Sequence, residues 1–371
     1  MRRMGVLDSA ITEFDQRSDL LLASNGVVDL RTGALLAPSP EFRLLRGTRV
    51  AYDPQAQAPE FDAWLKFSQP DPEIRDYLQL VFGIALTGER VKKYWVHEGV
   101  ADAGKSMLVR LMSLAIGDMG TSINANLIEG RNHVFGDDYA RAALRGARLA
   151  VLDETRAGGH SLDTSIKQLV GGAALTARNP YERQFAFVPY FKLHIATNNA
   201  PINAPDAAVA NRLELVRWDV GSTEEMRRAT AARLGLPLDA YLEKHELPGI
   251  LAWAARGAAR FYADAQRLET PAAVRRATDE HMAEGDLVAQ WLRSNTIEAE
   301  TGSFTSTQGW QDFSNWANTS GERGGPPTQR AWGIEMGRVL QGDPTVRKVK
   351  RNGIMTFVGR KLTNLAWHPT E

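Results

Sequence analysis

The chain opens on short apolar runs. In Asn25-Gly26-Val27-Val28-Asp29-Leu30-Arg31-Thr32-Gly33-Ala34-Leu35-Leu36, two such runs flank a polar turn. That predicts two short strands joined around Arg31 to Gly33, with Gly33 supplying a positive φ. Proline and alanine then mark a loop to about residue 58. From Phe61 the period lengthens. Phe61, Trp64, Leu65, Tyr77, Leu78, Val81, Phe82 and Leu86 recur at helical spacing, interrupted at Pro70-Asp71-Pro72. Residues 1–88 therefore read as a small, mainly helical N-terminal domain.

From Tyr94 the pattern becomes strand, glycine loop, helix. Tyr94-Trp95-Val96-His97 is the strand, and Met107, Leu108, Leu111, Met112 and Ala115 give the helix an apolar face. The near-continuous apolar runs Leu149–Leu152 and Leu193–Ala196 suit buried strands of an α/β sheet. Residues 89–225 read as this α/β core. Residues 226–285 are rich in alanine, arginine and leucine and read as a helical region packed on it. Between about 301 and 361 the order is helix, helix, hairpin, the Asn352-Gly353 turn joining Val346–Arg351 to Ile354–Val358. Two helices followed by a basic hairpin is the order of a winged-helix-like domain, assigned to residues 286–371. No internal repeat interrupts this order.

Composition narrows the setting. A chain of 371 residues is too long for one ordinary core. Its 43% hydrophobic and 24% charged residues are ordinary for a soluble globular protein. It has no cysteine, which excludes disulfides and thiolate metal sites and makes the cytoplasm the simple expectation. No run approaches the ~18 apolar residues of a membrane span, and the basic start Met1-Arg2-Arg3-Met4 is not followed by a signal-peptide core. Formal net charge is zero, which by itself gives no sign of nucleic-acid binding. Charge is local, however: from Arg347 to Lys361 there are six basic residues and no acidic one. That pattern suits a solvated strand pair or a phosphate-binding face.

The candidate chemistry begins at Gly99-Val100-Ala101-Asp102-Ala103-Gly104-Lys105-Ser106, which fits G-x-x-x-x-G-K-[ST]. Such a P-loop turns backbone N–H groups inward around phosphates, with Lys105 reaching the β- and γ-oxygens and Ser106 holding Mg²⁺. The helix that follows adds the positive end of its dipole. The expected nucleotide-binding positions are Gly99, Asp102, Ala103, Gly104, Lys105, Ser106 and Met107. ATP hydrolysis also needs a metal-side carboxylate and a base beside it. Asp153 and Glu154, after the apolar run Leu149–Leu152, supply both: Asp153 with Ser106 for the metal, Glu154 for the attacking water. Asn198, at the end of a third apolar run, is either a phosphate sensor or part of a plain turn. Arg212 is either a surface arginine or a finger reaching a neighbouring subunit's nucleotide.

Taken in order, these motifs resemble the superfamily 3 helicases, most closely the helicase part of the phage, plasmid and poxvirus primase-helicases. Asn25–Leu36 resembles that family's N-terminal signature, and Tyr77–Gly88 the helix before its P-loop. Gly171–Arg178, Phe191–Asn198 and Gly249-Ile250-Leu251-Ala252-Trp253 resemble three further family segments. The resemblance implies a modified AAA+ core that forms a ring, a hexamer in the usual case. It implies ATP and Mg²⁺ as cofactors and 3′ to 5′ movement on single-stranded DNA. It makes Lys105, Asp153, Glu154, Asn198 and Arg212 the catalytic set, with Asn198 as sensor and Arg212 as finger. Residues Thr176 to Phe187 become a hairpin projecting into the ring's pore. Arg178, Tyr181 and Arg183 at its tip, with Lys167 nearby, are then the DNA contacts, since a single-strand tracker needs cations and a stacking ring.

Two departures stand out: Asp102-Ala103 replaces glycines common in the family loop, so the Asp102 carboxylate must turn away from phosphate. Asn211-Arg212 replaces a common double arginine. The chain starts just before the N-terminal signature, so no primer synthesis is expected from it alone. A separate primase or polymerase is a natural partner. In the C-terminal domain, a helix over Gln329–Leu340 with Arg330 and Arg338 would sit near a DNA groove, with Lys348, Lys350 and Arg351 on the wing. The same domain could instead serve a protein contact. The leading reading is a phage, prophage or plasmid replication helicase acting on single-stranded and forked DNA. The alternative is an ATP-dependent initiator or loader that does not unwind.

Overall fold

The computed structural model describes residues 13–123, 137–153, 163–198, 211–320, 328–342 and 345–363. Contacts divide the described residues into two compact units, one up to residue 278 and the other from residue 279 on.

In the first unit the N-terminal turn forms where expected. Strands β2 (Gly26–Asp29) and β3 (Ala34–Leu36) pair antiparallel around a turn with Gly33 at φ 73°. A third strand not anticipated above, β1 (Leu20–Ala23), pairs with β2. The helical pattern from Phe61 to Leu86 resolves into α1 (Pro59–Ser68) and α2 (Pro72–Leu86), broken at the Pro-Asp-Pro step. Asp71 caps α2 by accepting from the Glu73 N–H, and Pro72 occupies its first turn. Helix α1 has no side-chain cap of its own. The buried Glu246 carboxylate fills that place, accepting from Glu60 N–H at 3.1 Å and Phe61 N–H at 2.8 Å.

The centre of this unit is a five-stranded sheet, parallel throughout. Its strands are β4 (Tyr94–Gly99), β5 (Gly120–Ser122), β6 (Leu149–Asp153), β9 (Lys192–Thr197) and β10 (Leu213–Trp218), in spatial order β10-β4-β9-β6-β5. The runs at Tyr94, Leu149 and Leu193 were legible as strands; β5 and β10 were not. Helix α3 (Lys105–Ile116) follows β4 and buries Leu108, Leu111, Met112 and Ala115, the face its spacing predicts, with Met107 partly buried. Helices α4 (Asp137–Ala142) and α5 (Asp163–Val170) and the antiparallel hairpin of β7 (Leu175–Ala177) with β8 (Phe185–Phe187) lie between the later strands in sequence. Four helices then follow: α6 (Glu224–Leu234), α7 (Leu238–His245), α8 (Leu247–Ala263) and α9 (Ala272–Glu284).

The second unit runs α10 (Leu287–Asn295), β11 (Thr296–Thr305), α11 (Ser306–Thr319), α12 (Gln329–Val339), β12 (Arg347–Arg351) and β13 (Ile354–Leu362). The expected helices and hairpin are present. The Asn352-Gly353 turn has φ 47° and 81°, the two positive values a two-residue hairpin turn of this type needs. Strand β11 was not anticipated; it pairs with β13 to give a sheet of order β11-β13-β12. Trp291, Phe304, Phe313, Trp332 and Phe357 form the core, mostly in edge-to-face contact.

Candidate functional site

A parallel sheet collects the ends of its strands on one edge, and ligands of such sheets bind outside the carboxyl ends. Here the strand order decides what meets there. Strand β9 lies between β4 and β6, with Glu98 opposite Thr197 and Asp153 opposite Ala196. Gly99 at the end of β4, Asn198 just after β9 and Asp153 at the end of β6 thus share one edge. Strands in a sheet are about 4.8 Å apart, so β4 and β6 lie roughly 10 Å apart with β9 between them. Asn198 is exposed at that edge. The side chain of Asp153 lies outside the described residues, as does all of Glu154.

The loop between β4 and α3 is built by local necessity. Gly99 and Gly104 have φ of 154° and 91°, and Asp102 has φ 58°. A Cβ on Gly104 would fall inside the Trp64 indole, and one on Gly99 would strike the Trp218 backbone carbonyl. Glycine is therefore required at both places by contact as well as by conformation. Ala103 is buried in the core, so only its backbone faces the loop. Helix α3 has no side-chain cap and no acidic residue in its first turn, which leaves the first-turn N–H groups and the dipole for an anion. Lys105 Nζ donates to the Gly99 carbonyl at 2.9 Å and the Val100 carbonyl at 2.6 Å, curling back over the loop. Burial lowers the pKa of its ammonium, while Asp102 and Glu98 oppose that shift. Ser106 sits beside it, exposed. This donor set fits a nucleoside triphosphate with Mg²⁺: a hard cation that keeps phosphate oxygens and water needs only a hydroxyl and one or two carboxylates from the protein.

Asp102 is exposed within the loop. Its carboxylate pairs with Arg227 on α6 at 3.0 Å. Neither Arg227, nor Glu98, nor Arg217 was singled out from the sequence. The signal was present in part, since Glu98 and Arg217 are charges inside largely apolar strands. Their partnership appears only once β10 is seen to pair with β4, bringing Arg217 opposite Glu98.

Arg212 lies elsewhere. Its carbonyl accepts from Tyr94 N–H at 2.9 Å, so it stands where β10 begins, at the edge opposite Gly99. The β7–β8 hairpin covers the stretch expected of it. At its tip Tyr181 is fully exposed with φ 63°, and Arg183 is exposed. Arg178 is partly committed to the tip itself: its Nε donates to the Glu182 carbonyl at 3.1 Å, and its N–H to the Asp138 carbonyl. Lys167 lies on α5, and its side chain is outside the described residues.

In the second unit, Lys350 and Arg351 are exposed on β12. Lys348 joins Arg330, Gly333, Ile334, Gly337 and Met355 in lining a groove of about 660 Å³ between α12 and the hairpin. Arg338, expected near a DNA groove, is instead tied to Asp286 at 2.5 Å and Glu335 at 2.9 Å. It braces the N-terminal cap of α10, because Asp286 also accepts from Ala289 N–H. Among the described residues no cluster of His, Cys, Asp and Glu forms a metal site, and no helix is long and apolar enough to cross a membrane.

Residues 1–70 match the family described as D5 N terminal like, and residues 97–212 match a family of unknown function, DUF5906. The chain is 26% identical over 213 residues to a protein named as a helicase, L207/L206 of Acanthamoeba polyphaga mimivirus, covering 56% of this chain and 22% of that protein. It is 27% identical over 320 residues to helicase 184R of Invertebrate iridescent virus 6, covering 77% and 33%. The chain thus spans about a third or less of the length of these curated relatives. Among solved structures, the apo C-terminal region of NrS-1 aligns with a TM-score of 0.49 at 13% identity, over 84% of this chain and 77% of that one.

Proposed function

This chain belongs to the phage and viral primase-helicase family, and from that premise we propose that it is an ATP-driven DNA helicase of the superfamily 3 kind. The observation that carries the reading is the meeting of Gly99–Ser106, Asn198 and the end of β6 at one edge of the parallel sheet. In this reading the loop is a P-loop and the first unit contains an AAA+ type core.

ATP with Mg²⁺ supplies the transferable phosphoryl group and its charge compensation. The chain's own residues do the rest. Lys105 leaves the Gly99 and Val100 carbonyls to neutralise the β- and γ-oxygens, and the first-turn N–H groups of α3 hold them in place. Ser106 and Asp153 would hold the metal, which would supply charge compensation for the phosphates, Glu154 would polarise the attacking water, and Asn198 would align that water. Arg212, at the far edge of its own sheet, acts on the nucleotide of a neighbouring chain in a ring, a hexamer in the usual case. The β7–β8 hairpin carries the motion to single-stranded DNA, with Tyr181 for stacking and Arg183 for phosphate. Arg178 contributes more to the shape of the tip than to contact. The second unit reads as a winged-helix module with Arg330, Lys348, Lys350 and Arg351 toward the forked duplex. Movement 3′ to 5′ and recruitment of a separate primase or polymerase follow from the family premise.

The test is strand displacement on a forked duplex together with ATPase assays. The wild-type chain should hydrolyse ATP faster with single-stranded DNA. Lys105→Ala should lose at least roughly a hundredfold of that rate, the scale of removing one charge-stabilising donor. A wild-type chain that neither binds DNA nor responds to it at low salt would overturn the reading. Unwinding unchanged in Glu154→Gln would remove ATP hydrolysis by this site from it.

A further inference from the structure

Two carboxylates stand where a polyphosphate must bind: Glu98 immediately before Gly99, and Asp102 within the loop. Both act on the Lys105 ammonium. Left alone, each would repel the phosphates that Lys105 and α3 attract. Each is met by an arginine from a single stretch of chain. Arg217, the register partner of Glu98, bonds its carboxylate. Arg227, ten residues on, reaches the Asp102 carboxylate at 3.0 Å.

The same stretch is joined to the loop backbone. Val100 N–H donates to the Trp218 carbonyl at 3.0 Å, and Ser222 N–H donates to the Asp102 carbonyl at 3.0 Å. Ser222 Oγ adds a bond to that carbonyl at 3.2 Å, and Arg227 donates to the Ser222 carbonyl at 2.8 Å. A side chain at Gly221 would run into the Ala101 carbonyl.

We propose that Arg217 and Arg227, at the two ends of one stretch joined to the phosphate loop, cancel the charges of Glu98 and Asp102, with Arg227 the positioning residue that turns the Asp102 carboxylate out of the phosphate site. An exposed ion pair of this kind adds little to folding stability, so its effect falls on the ligand. Arg227 holds the Asp102 carboxylate and the Ser222 carbonyl together, and Ser222 in turn holds the Asp102 backbone. The inference rests on the nucleotide reading above and deepens it. It explains how a loop with an aspartate among its variable positions can still accept a triphosphate.

The experiment is a titration of the full chain with a fluorescent ATP analogue and Mg²⁺, in four forms: wild type, Arg227→Ala, Asp102→Gly and the double variant. Glycine suits position 102, where φ is 58°. Arg227→Ala should weaken binding roughly three- to tenfold, the effect of one uncancelled charge several ångströms from phosphate. Asp102→Gly should tighten it severalfold. In the Asp102→Gly background, Arg227→Ala should change affinity by less than about twofold, since the loop has no carboxylate left to turn away and Glu224, which Arg227 also meets at 2.9 Å, keeps Arg228 as its partner. Equal losses in both backgrounds would mean that Arg227 merely braces α6, and would overturn the inference. Wild type binding nucleotide with Arg227→Ala unchanged would overturn the inference alone. Wild type binding no nucleotide would overturn the nucleotide reading and the inference with it.

Discussion

At the scale of single residues, two histidines occupy positions in the sheet where apolar side chains would ordinarily pack. Trp218 donates its indole N–H to His97 Nδ1 at 3.2 Å, and His97 Nε2 lies 3.0 Å from His194 Nδ1. Since His97 Nδ1 accepts, its proton sits on Nε2 and is donated to His194 Nδ1. That places the His194 proton on Nε2, which has no partner among the described residues. The His194 ring stacks between Phe82 at 4.6 Å and Trp95 at 4.9 Å. Burial holds both rings neutral: it pushes His97 down to about 3 and His194 well below its usual value. In the unfolded chain both titrate near 6.5, so between pH 6.5 and about 3 the unfolded state binds more protons. Stability is therefore complete above pH 6.5 and falls as the pH drops below it. His97 costs about 2 kcal/mol between pH 7 and pH 5, and His194 adds a loss in the same direction. Urea unfolding of wild type and His194→Leu at the two pH values measures it. The variant should lose less stability than wild type over that interval. Equal losses would mean that His194 is protonated in the folded chain.

At the scale of elements, α2 and α8 meet backbone to backbone. A Cβ on Gly83 would collide with the Gly257 and Ala258 main chain, and one on Gly257 with the Gln79 carbonyl. Neither glycine has a positive φ, so the requirement is one of close approach alone. In an open helix, Gly→Ala gains about 0.5–1 kcal/mol. At Gly83 the sign should reverse, with Gly83→Ala losing about 1–3 kcal/mol by overpacking. Gly333, on α12 with nothing near its missing side chain, should show the ordinary gain in its own unit. Chemical denaturation of the two variants separates the cases, and a stabilising Gly83→Ala would show that the helices part readily. Glycines such as these appear in the sequence as interruptions of a helix, and their reason is a partner about 170 residues away. The same holds for much of the fold. Helices α1, α2 and α3 were legible because their apolar spacing and the Pro-Asp-Pro break are local. The Gly99–Ser106 loop and the Leu149–Asp153 run were legible because their chemistry is written in consecutive residues. Strand β5 has only three residues, too few to show a period. Strand β10 carries Glu214 and Arg217 among its apolar residues, charges tolerated because Lys93 meets the first and Glu98 the second. Those partners lie on or beside β4, so no local pattern could announce them.

At the scale of the whole molecule, the position of Arg212 sets how many chains an active site needs. From Leu213 to Trp218 strand β10 has six residues, about 20 Å at the usual rise, with Arg212 at one end and Gly99 opposite the other. No side chain spans that length, so Arg212 cannot serve the loop of its own chain. If it acts on a nucleotide, that nucleotide is held by a neighbour, and a head-to-tail contact repeated around an axis closes into a ring. Arg212→Ala should then lose ATPase activity while retaining nucleotide binding, whereas Lys105→Ala should lose ATPase activity with its binding weakened as well. Mixing the two inactive variants makes the stronger test. In rings assembled at random from equal amounts, about one interface in four joins an intact Lys105 to an intact Arg212. The mixture should recover roughly a quarter of wild-type ATPase where each variant alone has almost none. Recovery requires exchange of chains, so it should be absent when the two are mixed after cross-linking. A mixture as inactive as its components would confine each site to one chain and leave Arg212 a structural residue at the foot of β10.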